Sequence, residues 1–280
     1  MAFYEFARDT YRKLIPARFR WAILPLVLKL MQNREDKSEV FGPLYKRKYK
    51  RQHYFYCVYQ AAKLAKKLGL KSVSVMEFGV AGGNGIIALE KHANVISEAL
   101  DINIEVYGFD TGMGLPTPAD YRDLPYLWQK GFYKMDIEKL QKRLTNAKLV
   151  IGNISETSKT FFDKYKPAPI GAVVFDMDFY TSTIAAFDLF EGDDSKYLPR
   201  IFTYFDDIFV KNISDYTGER LAISEFNHSH KNKKFSLDYG LLYHKKIELW
   251  YSQIFILHFF EHSEYNTFVE DIDVGSLSLH

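Results

Sequence analysis

Apolar positions along the chain repeat with two periods that take turns. From Gln52 to Leu68 they recur at helical spacing, and Gly69 ends the run. SVSVMEF (72–78) then reads as a strand, GIIALEKHANVISEAL (85–100) as a helix and INIEVYGF (102–109) as a second strand. MDIEKLQKRL (135–144) is helical, KLVIG (148–152) is strand and SETSKTFFDKY (155–165) is helical. IGAVVFD (170–176), STIAAFDLF (182–190) and RIFTYFDD (200–207) continue as strand, helix and strand. Five strands separated by helices predict an α/β fold with a doubly wound, mostly parallel sheet, whose ligands bind outside the carboxyl ends of the strands. LDYGLLYHKKIELWYSQIFILHFFEH (237–262) holds Gly240 and two β-rich runs with a polar break, which predicts a C-terminal antiparallel strand pair at one edge. That pair is expected to close the sheet and carry no chemistry. Residues 1–70 are read as an N-terminal helical extension and 71–280 as the main domain.

Composition agrees with this plan. Of the 280 residues 47% are apolar, enough for a substantial core. The single cysteine, Cys57, excludes an internal disulfide and a cysteine-rich zinc site, and no cleavable signal peptide opens the chain, so a cytoplasmic location is expected. The net charge of +2 conceals an asymmetry, since residues 1–71 carry 17 Lys/Arg against 5 Asp/Glu and the rest carries 20 against 30. Tyr11–Met31 sets four basic residues beside Trp21 and an apolar run too short to span a bilayer and broken by Pro25. This segment is a candidate for peripheral contact with a membrane surface. A basic-faced helix packing on the domain or on a second subunit of a homo-oligomer is the preferred reading. KRKYKR (46–51) has no nucleic-acid module around it and reads as a solvated charge run, so no nucleic-acid partner is expected.

The candidate chemistry lies where strands end. MEFGVAGGNGIIALE places Glu77, Gly79, Gly82, Gly83 and Gly85 between the first strand and a helix. There, glycines let backbone approach a small anionic or zwitterionic ligand, or simply make a turn. The dinucleotide fingerprint does not fit, because Ala81 and Asn84 stand where it needs glycine. The second strand ends in Asp110, a potential ribose ligand or a turn acid, followed by Thr111; the third ends beside Asn153. The fourth ends in Asp176 and Asp178, and the fifth in Asp206 and Asp207. Acids this close repel, so a cation, a substrate proton or a helix N-terminus must compensate them.

The acid-x-Gly-x-x-x-Gly-x-Gly pattern through Glu77, Gly79, Gly83 and Gly85 resembles the first motif of class I S-adenosylmethionine-dependent methyltransferases, which share a Rossmann-like fold. From Glu77 to Phe226 the chain is similar to the macrocin O-methyltransferase family, metal-dependent sugar O-methyltransferases of antibiotic pathways. The ordered pieces are EFGV, FDTGMGLP (109–116), VVFDMDFYTST (173–183), the FDD of 205–207 and GERLAISEF (218–226). The resemblance implies S-adenosylmethionine held by Glu77, Gly79, Gly82, Gly83, Asp110, Thr111, Asn153 and Asp176. It also implies Mg2+ on Asp176, Asp206 and Asp207, with Asp178 as general base. The implied reaction is methyl transfer to a hydroxyl of a sugar or sugar-containing small molecule. A catechol, a lipid-linked saccharide or another small-molecule acceptor, and a non-catalytic methyltransferase-like binding protein, are the alternatives.

This sequence departs from the family in several places. The loop is AGGNG where the family has WRGGS, LPRIF stands where a Pro-Gly-Gly turn is common before the fifth strand, and EGDDSKY lengthens the preceding connection. The long connection from Thr111 to Met135 is rich in Pro and aromatic residues, which predicts a lid or binding loop. Within it Tyr121, Tyr126, Trp128 and Tyr133 either stack on an acceptor or pack the loop onto its own domain. The histidines show no metal spacing, and His228 and His230 are expected to face solvent.

Overall fold

The buried apolar runs pair into one sheet in this computed structural model, which describes residues 49–243 and 248–269. The N-terminal segment 1–48 lies outside the described residues, so the membrane and subunit readings of Tyr11–Met31 are not addressed. Residues 49–239 with 248–269 belong to one body; residues 240–243 fall outside it and continue a 3-10 turn, Tyr239–Tyr243. In that body α1 is Gln52–Lys67, β1 Ser72–Phe78, α2 Asn84–Leu100, β2 Asn103–Asp110, α3 Ile137–Gln141 and β3 Lys148–Ile151. Then follow α4 Ile154–Tyr165, β4 Ile170–Phe175, α5 Tyr180–Phe187, β5 Tyr197–Phe205, α6 Gly218–Ser229, β6 Lys233–Leu237 and β7 Ile254–Phe259. The strand order is β3-β2-β1-β4-β5-β7-β6, parallel from β3 to β5 and antiparallel for β7 and β6.

Both faces of the sheet are covered, as its apolar strands require. In β2 the residues alternate: a Cβ on Gly108 would strike Ile86 of α2, while the rings of Tyr107 and Phe109 each lie 5.0 Å from that of Phe161 in α4. Helix α1 covers the α2 side with Phe55, Val58, Ala61, Ala62 and Ala65 fully buried, and Cys57 is free and buried among them. It stops in a Schellman arrangement, with Leu70 N–H donating to Ala65 O and Gly69 N–H to Lys66 O, both at 3.0 Å. On the α4 side an aromatic cluster joins Phe78, Phe175, Phe187, Phe190, Phe205, Phe226 and Phe235. Phe175 and Phe205, on neighbouring strands, stack at 4.5 Å with 5° between planes, a pair worth about 0.5–1.5 kcal/mol beyond the area it buries.

Three expectations need correction. LPRIF is not a turn before β5, because Leu198 and Pro199 lie inside the strand, which starts at Tyr197. The ladder with β4 jumps there from Ile170↔Tyr197 to Ala172↔Phe202, and proline, which has no N–H to donate, sits in the irregular stretch. The edge pair is antiparallel as expected, but its first strand, Lys233–Leu237, only reaches the start of the segment that was read for it; among the described residues after Leu237 only β7 is a strand, and Leu249–Gln253 is a 3-10 turn. The helix read over 135–144 shrinks to Ile137–Gln141. Among the described residues no helix is long and apolar enough to cross a membrane.

Candidate active site

The parallel ladder runs one residue past each strand, and this overrun lines up the site. Gly152 N–H donates to Asp110 O (3.0 Å), Gly79 N–H to Phe109 O (2.9 Å), Asp176 N–H to Phe78 O (2.9 Å) and Asp206 N–H to Phe175 O (3.0 Å). Strand ends far apart in sequence, such as Phe78 and Asp176, thus become neighbours along one carboxyl edge. They open on a cavity of about 480 Å3 that is also lined by Glu77, Ala81, Gly82, Thr111, Asn153, Asp178 and Asp207. Of the residues implied by resemblance, Gly83 is the one outside this lining. It starts α2 at φ 84°, where a side chain would meet Leu140. His228 is exposed on α6, whereas His230 stacks on Phe226 and bonds Glu191, so it is not a free surface group.

The glycine loop is a close-approach device. At Gly79, φ 85°, a Cβ would lie 1.8 Å from the carbonyl oxygen of Asp176, and at Gly85 it would lie 1.7 Å from Glu77 Oε1. Glu77 is therefore sealed beneath the start of α2 at 1% exposure, its Oε1 accepting from Tyr54 OH at 2.7 Å and its Oε2 without a partner among the described residues. Burial pushes its carboxyl up to about 8. Asp110 has a different setting: Ala81 N–H donates to its Oδ2 (2.9 Å) and Gly112 N–H to its Oδ1 (2.6 Å). It thus fastens the loop and still has acceptor lone pairs for a diol. Thr111 closes the next turn through Gly114 O (3.1 Å), and the Asn153 side chain caps α4 by accepting from Ser155 N–H (3.1 Å).

The far end is acidic. One carboxylate oxygen from each of Asp176, Asp206 and Asp207 can be chosen so that all lie within 4.8 Å of one another, the single grouping of this kind among the described residues. Each acid is oriented by a donor or by backbone. Tyr204 OH donates to Asp206 Oδ1 (2.7 Å), Asp178 N–H donates to Asp207 Oδ2 (3.0 Å), and Asp207 N–H donates to Glu219 Oε2 (2.9 Å). Asp178 is buried with φ 61°, at the centre of a three-residue turn closed by Phe179 N–H on Met177 O (2.6 Å). Such a backbone is costly outside glycine and is found where a side chain must be aimed. Burial, then Asp206, pushes Asp176 up to about 7; burial, then Asp176 and Asp206, does the same to Asp178. Burial and the neighbouring acids raise Asp207 well above the carboxylate range. Carboxylates this crowded and dry call for a cation, and an all-oxygen donor set suits a hard divalent ion.

Several residues were missed by the sequence reading. Arg51 was assigned to a solvated charge run but lines the cavity. Glu219, inside the GERLAISEF piece, is fully buried on Asp207; its place as a first-turn acid of α6 after the Asp-Asp pair was a readable signal. Gln253, in a region expected to carry no chemistry, donates Nε2–H to the carbonyls of Phe205 (3.1 Å) and Asp206 (2.9 Å) and so fixes the acid-bearing end of β5. Asp123 accepts from Ala119 N–H, Thr181 N–H and Thr181 OH, pinning the 111–135 connection to the start of α5. The aromatic residues of that connection divide: Trp128 and Tyr133 line the cavity, while Tyr121 and Tyr126 are exposed, Tyr126 OH bonding Asn212 O at 2.8 Å. Trp128 Nε1 is buried without a partner among the described residues.

No protein-family model matches the chain, and no curated protein matches it in sequence. Among solved structures, CalS11, a calicheamicin methyltransferase, aligns with a TM-score of 0.51 at 18% identity over 91% of each chain. An apo structure of CalS11, described as a TDP-rhamnose 3′-O-methyltransferase, aligns over the same shares at 18% identity with a TM-score of 0.43. MycE, a methyltransferase of mycinamycin biosynthesis in complex with Mg, SAH and mycinamycin VI, aligns at 13% identity over 85% of this chain and 58% of that one, with a TM-score of 0.39. With its parallel five-strand core, antiparallel edge and flanking helices, the chain has the Rossmann-like fold of the CalS11 methyltransferase.

Proposed function

We propose that the protein is an S-adenosylmethionine-dependent O-methyltransferase that uses Mg2+ and methylates a hydroxyl of a sugar or sugar-containing small molecule. The observation that carries this reading is a single cavity with the glycine loop and Asp110 at one end and Asp176, Asp178, Asp206 and Asp207 at the other. Asp110 can accept both ribose hydroxyls, and the loop backbone of Val80–Gly82 can border the rest of the cofactor. Asp176, Asp206 and Asp207 would hold Mg2+, which when bound acidifies an acceptor hydroxyl.

The sulfonium already activates the methyl group, so what remains is alignment of the acceptor oxygen and removal of its proton. Asp178 suits the second task. It is buried, its backbone is anchored to Asp207, and burial raises its carboxyl above the ordinary carboxylate range, which favours its taking up a proton. The oxygen gains the methyl as the carbon–sulfur bond breaks, and the hydroxyl proton passes to Asp178. Trp128 and Tyr133 form an aromatic wall suited to the C–H face of a sugar, and the free Trp128 N–H can donate to an acceptor oxygen.

The test is calorimetry with S-adenosylhomocysteine, with and without Mg2+, followed by transfer of labelled methyl groups to a panel of nucleotide sugars and glycosylated small molecules. Saturable binding and chelator-sensitive transfer are expected. Transfer that survives thorough chelation removes the metal from the reading, and absence of saturable binding removes the reading itself.

A further inference from the structure

Among the described residues that line the cavity, Arg51 is the only cationic one. It stands immediately before α1 in a left-handed conformation, φ 52°. Its Nη1 donates to Tyr54 OH at 3.1 Å, with the guanidinium carbon 4.9 Å from the Tyr54 ring centroid. Tyr54 OH in turn donates to Glu77 Oε1 at 2.7 Å. A guanidinium, a phenol and a carboxylate thus form a chain across the end of β1.

Both ends of this chain have unused capacity toward the cavity. The guanidinium makes no other hydrogen bond among the described residues, and Glu77 Oε2 is buried without a partner. An unmet buried carboxyl oxygen is costly, and an arginine fork is shaped to take a carboxylate through two parallel N–H donors. A ligand matching both must offer an ammonium and a carboxylate a few ångströms apart, which is the end of an α-amino acid. The chain sits on β1, between Asp110 of β2 and the acids of β4 and β5, and its hydrogen bonds run to Glu77 of the glycine-loop strand.

We infer that Arg51 binds the α-carboxylate of the cofactor's amino-acid moiety, with Tyr54 fixing the guanidinium and Glu77 Oε2 facing the α-ammonium group. This rests on the methyltransferase reading above. It assigns a cofactor contact to the segment preceding α1, which comes from outside the glycine loop.

Two ligands separate the roles: S-adenosylhomocysteine, which carries the amino-acid end, and 5′-methylthioadenosine, which lacks it. Calorimetry on the full chain should show Arg51→Met weakening S-adenosylhomocysteine about 10- to 100-fold while 5′-methylthioadenosine changes less than about twofold. Arg51→Lys, which keeps the charge and loses the fork, should fall between. Unchanged S-adenosylhomocysteine binding in Arg51→Met overturns the inference and leaves the methyltransferase reading standing; Arg51 would then serve another anion, such as one on the acceptor. Equal weakening of both ligands also overturns it, marking Arg51 as a support of the fold. If the unaltered protein binds neither ligand, both readings fall together.

Discussion

Asp110 and the β4–β5 acids occupy equivalent places, each just past or at the end of a parallel strand, yet their charges are met in opposite ways. Asp110 receives two backbone N–H groups, from Ala81 and Gly112, so its carboxylate is satisfied by the chain alone. Asp176, Asp206 and Asp207 share one small volume with Asp178 beside them and Glu219 beneath, and no cationic side chain bonds any of them among the described residues. The Asp110 end, which would take the nucleoside on the proposed reading, is complete as folded. The acidic end is built at a cost in folding energy that a cation bound there, as proposed, would recover, the usual relation between stability and function at a preorganised site.

Breaking the acidic end should have the largest effect. Asp206→Asn keeps an acceptor for Tyr204 OH but removes a charge, and we expect turnover to fall roughly a thousandfold with loss of divalent-ion binding by calorimetry. S-adenosylhomocysteine affinity should move less than about threefold. In chelator the same variant should be more stable than the parent by about 1 kcal/mol in urea unfolding, because repulsion is relieved. A destabilised Asp206→Asn would show that the acids are held by something other than a missing cation.

Asp178→Asn should follow, lowering turnover about a hundredfold, as expected for a general base, with both ion and cofactor binding kept. Parallel loss of cofactor affinity would make the residue structural. At the other end, Asp110→Ala frees two backbone N–H groups and should weaken S-adenosylhomocysteine about tenfold or more while ion binding persists.

Stability, as distinct from turnover and binding, should carry a pH slope. Glu77 releases its proton near 4.5 in the unfolded chain and near 8 in the folded one, so between these values the folded state holds the extra proton. The stabilisation is fully present below pH 4.5 and lost as pH rises toward 8, by up to about 1.4 kcal/mol per unit. Unfolding of Glu77→Gln between pH 5 and 8 should therefore be flatter than that of the parent; identical slopes would exclude this titration.

The parts of the fold that were legible in the sequence are those where burial is periodic. The five parallel strands sit where short runs rich in β-branched and aromatic residues put them, because a strand covered on both faces is mostly apolar. The edge pair was misplaced because an edge strand carries a weaker pattern: KKFSL buries only Phe235. Glycine spacing and acids after strands were likewise readable, since local turn chemistry and strand ends are local properties. Arg51, Gln253 and Asp123 were not, because each acts on backbone or cavity far away in sequence.

Linear order alone dictated which acids exist, that they follow strands, and that glycines precede α2, for these depend on side-chain size, charge and period. Tertiary structure decided which of them meet. The parallel ladder brings Gly79, Asp176 and Asp206 abreast across 128 positions of chain, and the turn at Asp178 aims one acid apart from its neighbours. Electrostatics completes the division: at these separations, charge and burial depend on distance through space, and no pattern along the chain records that distance.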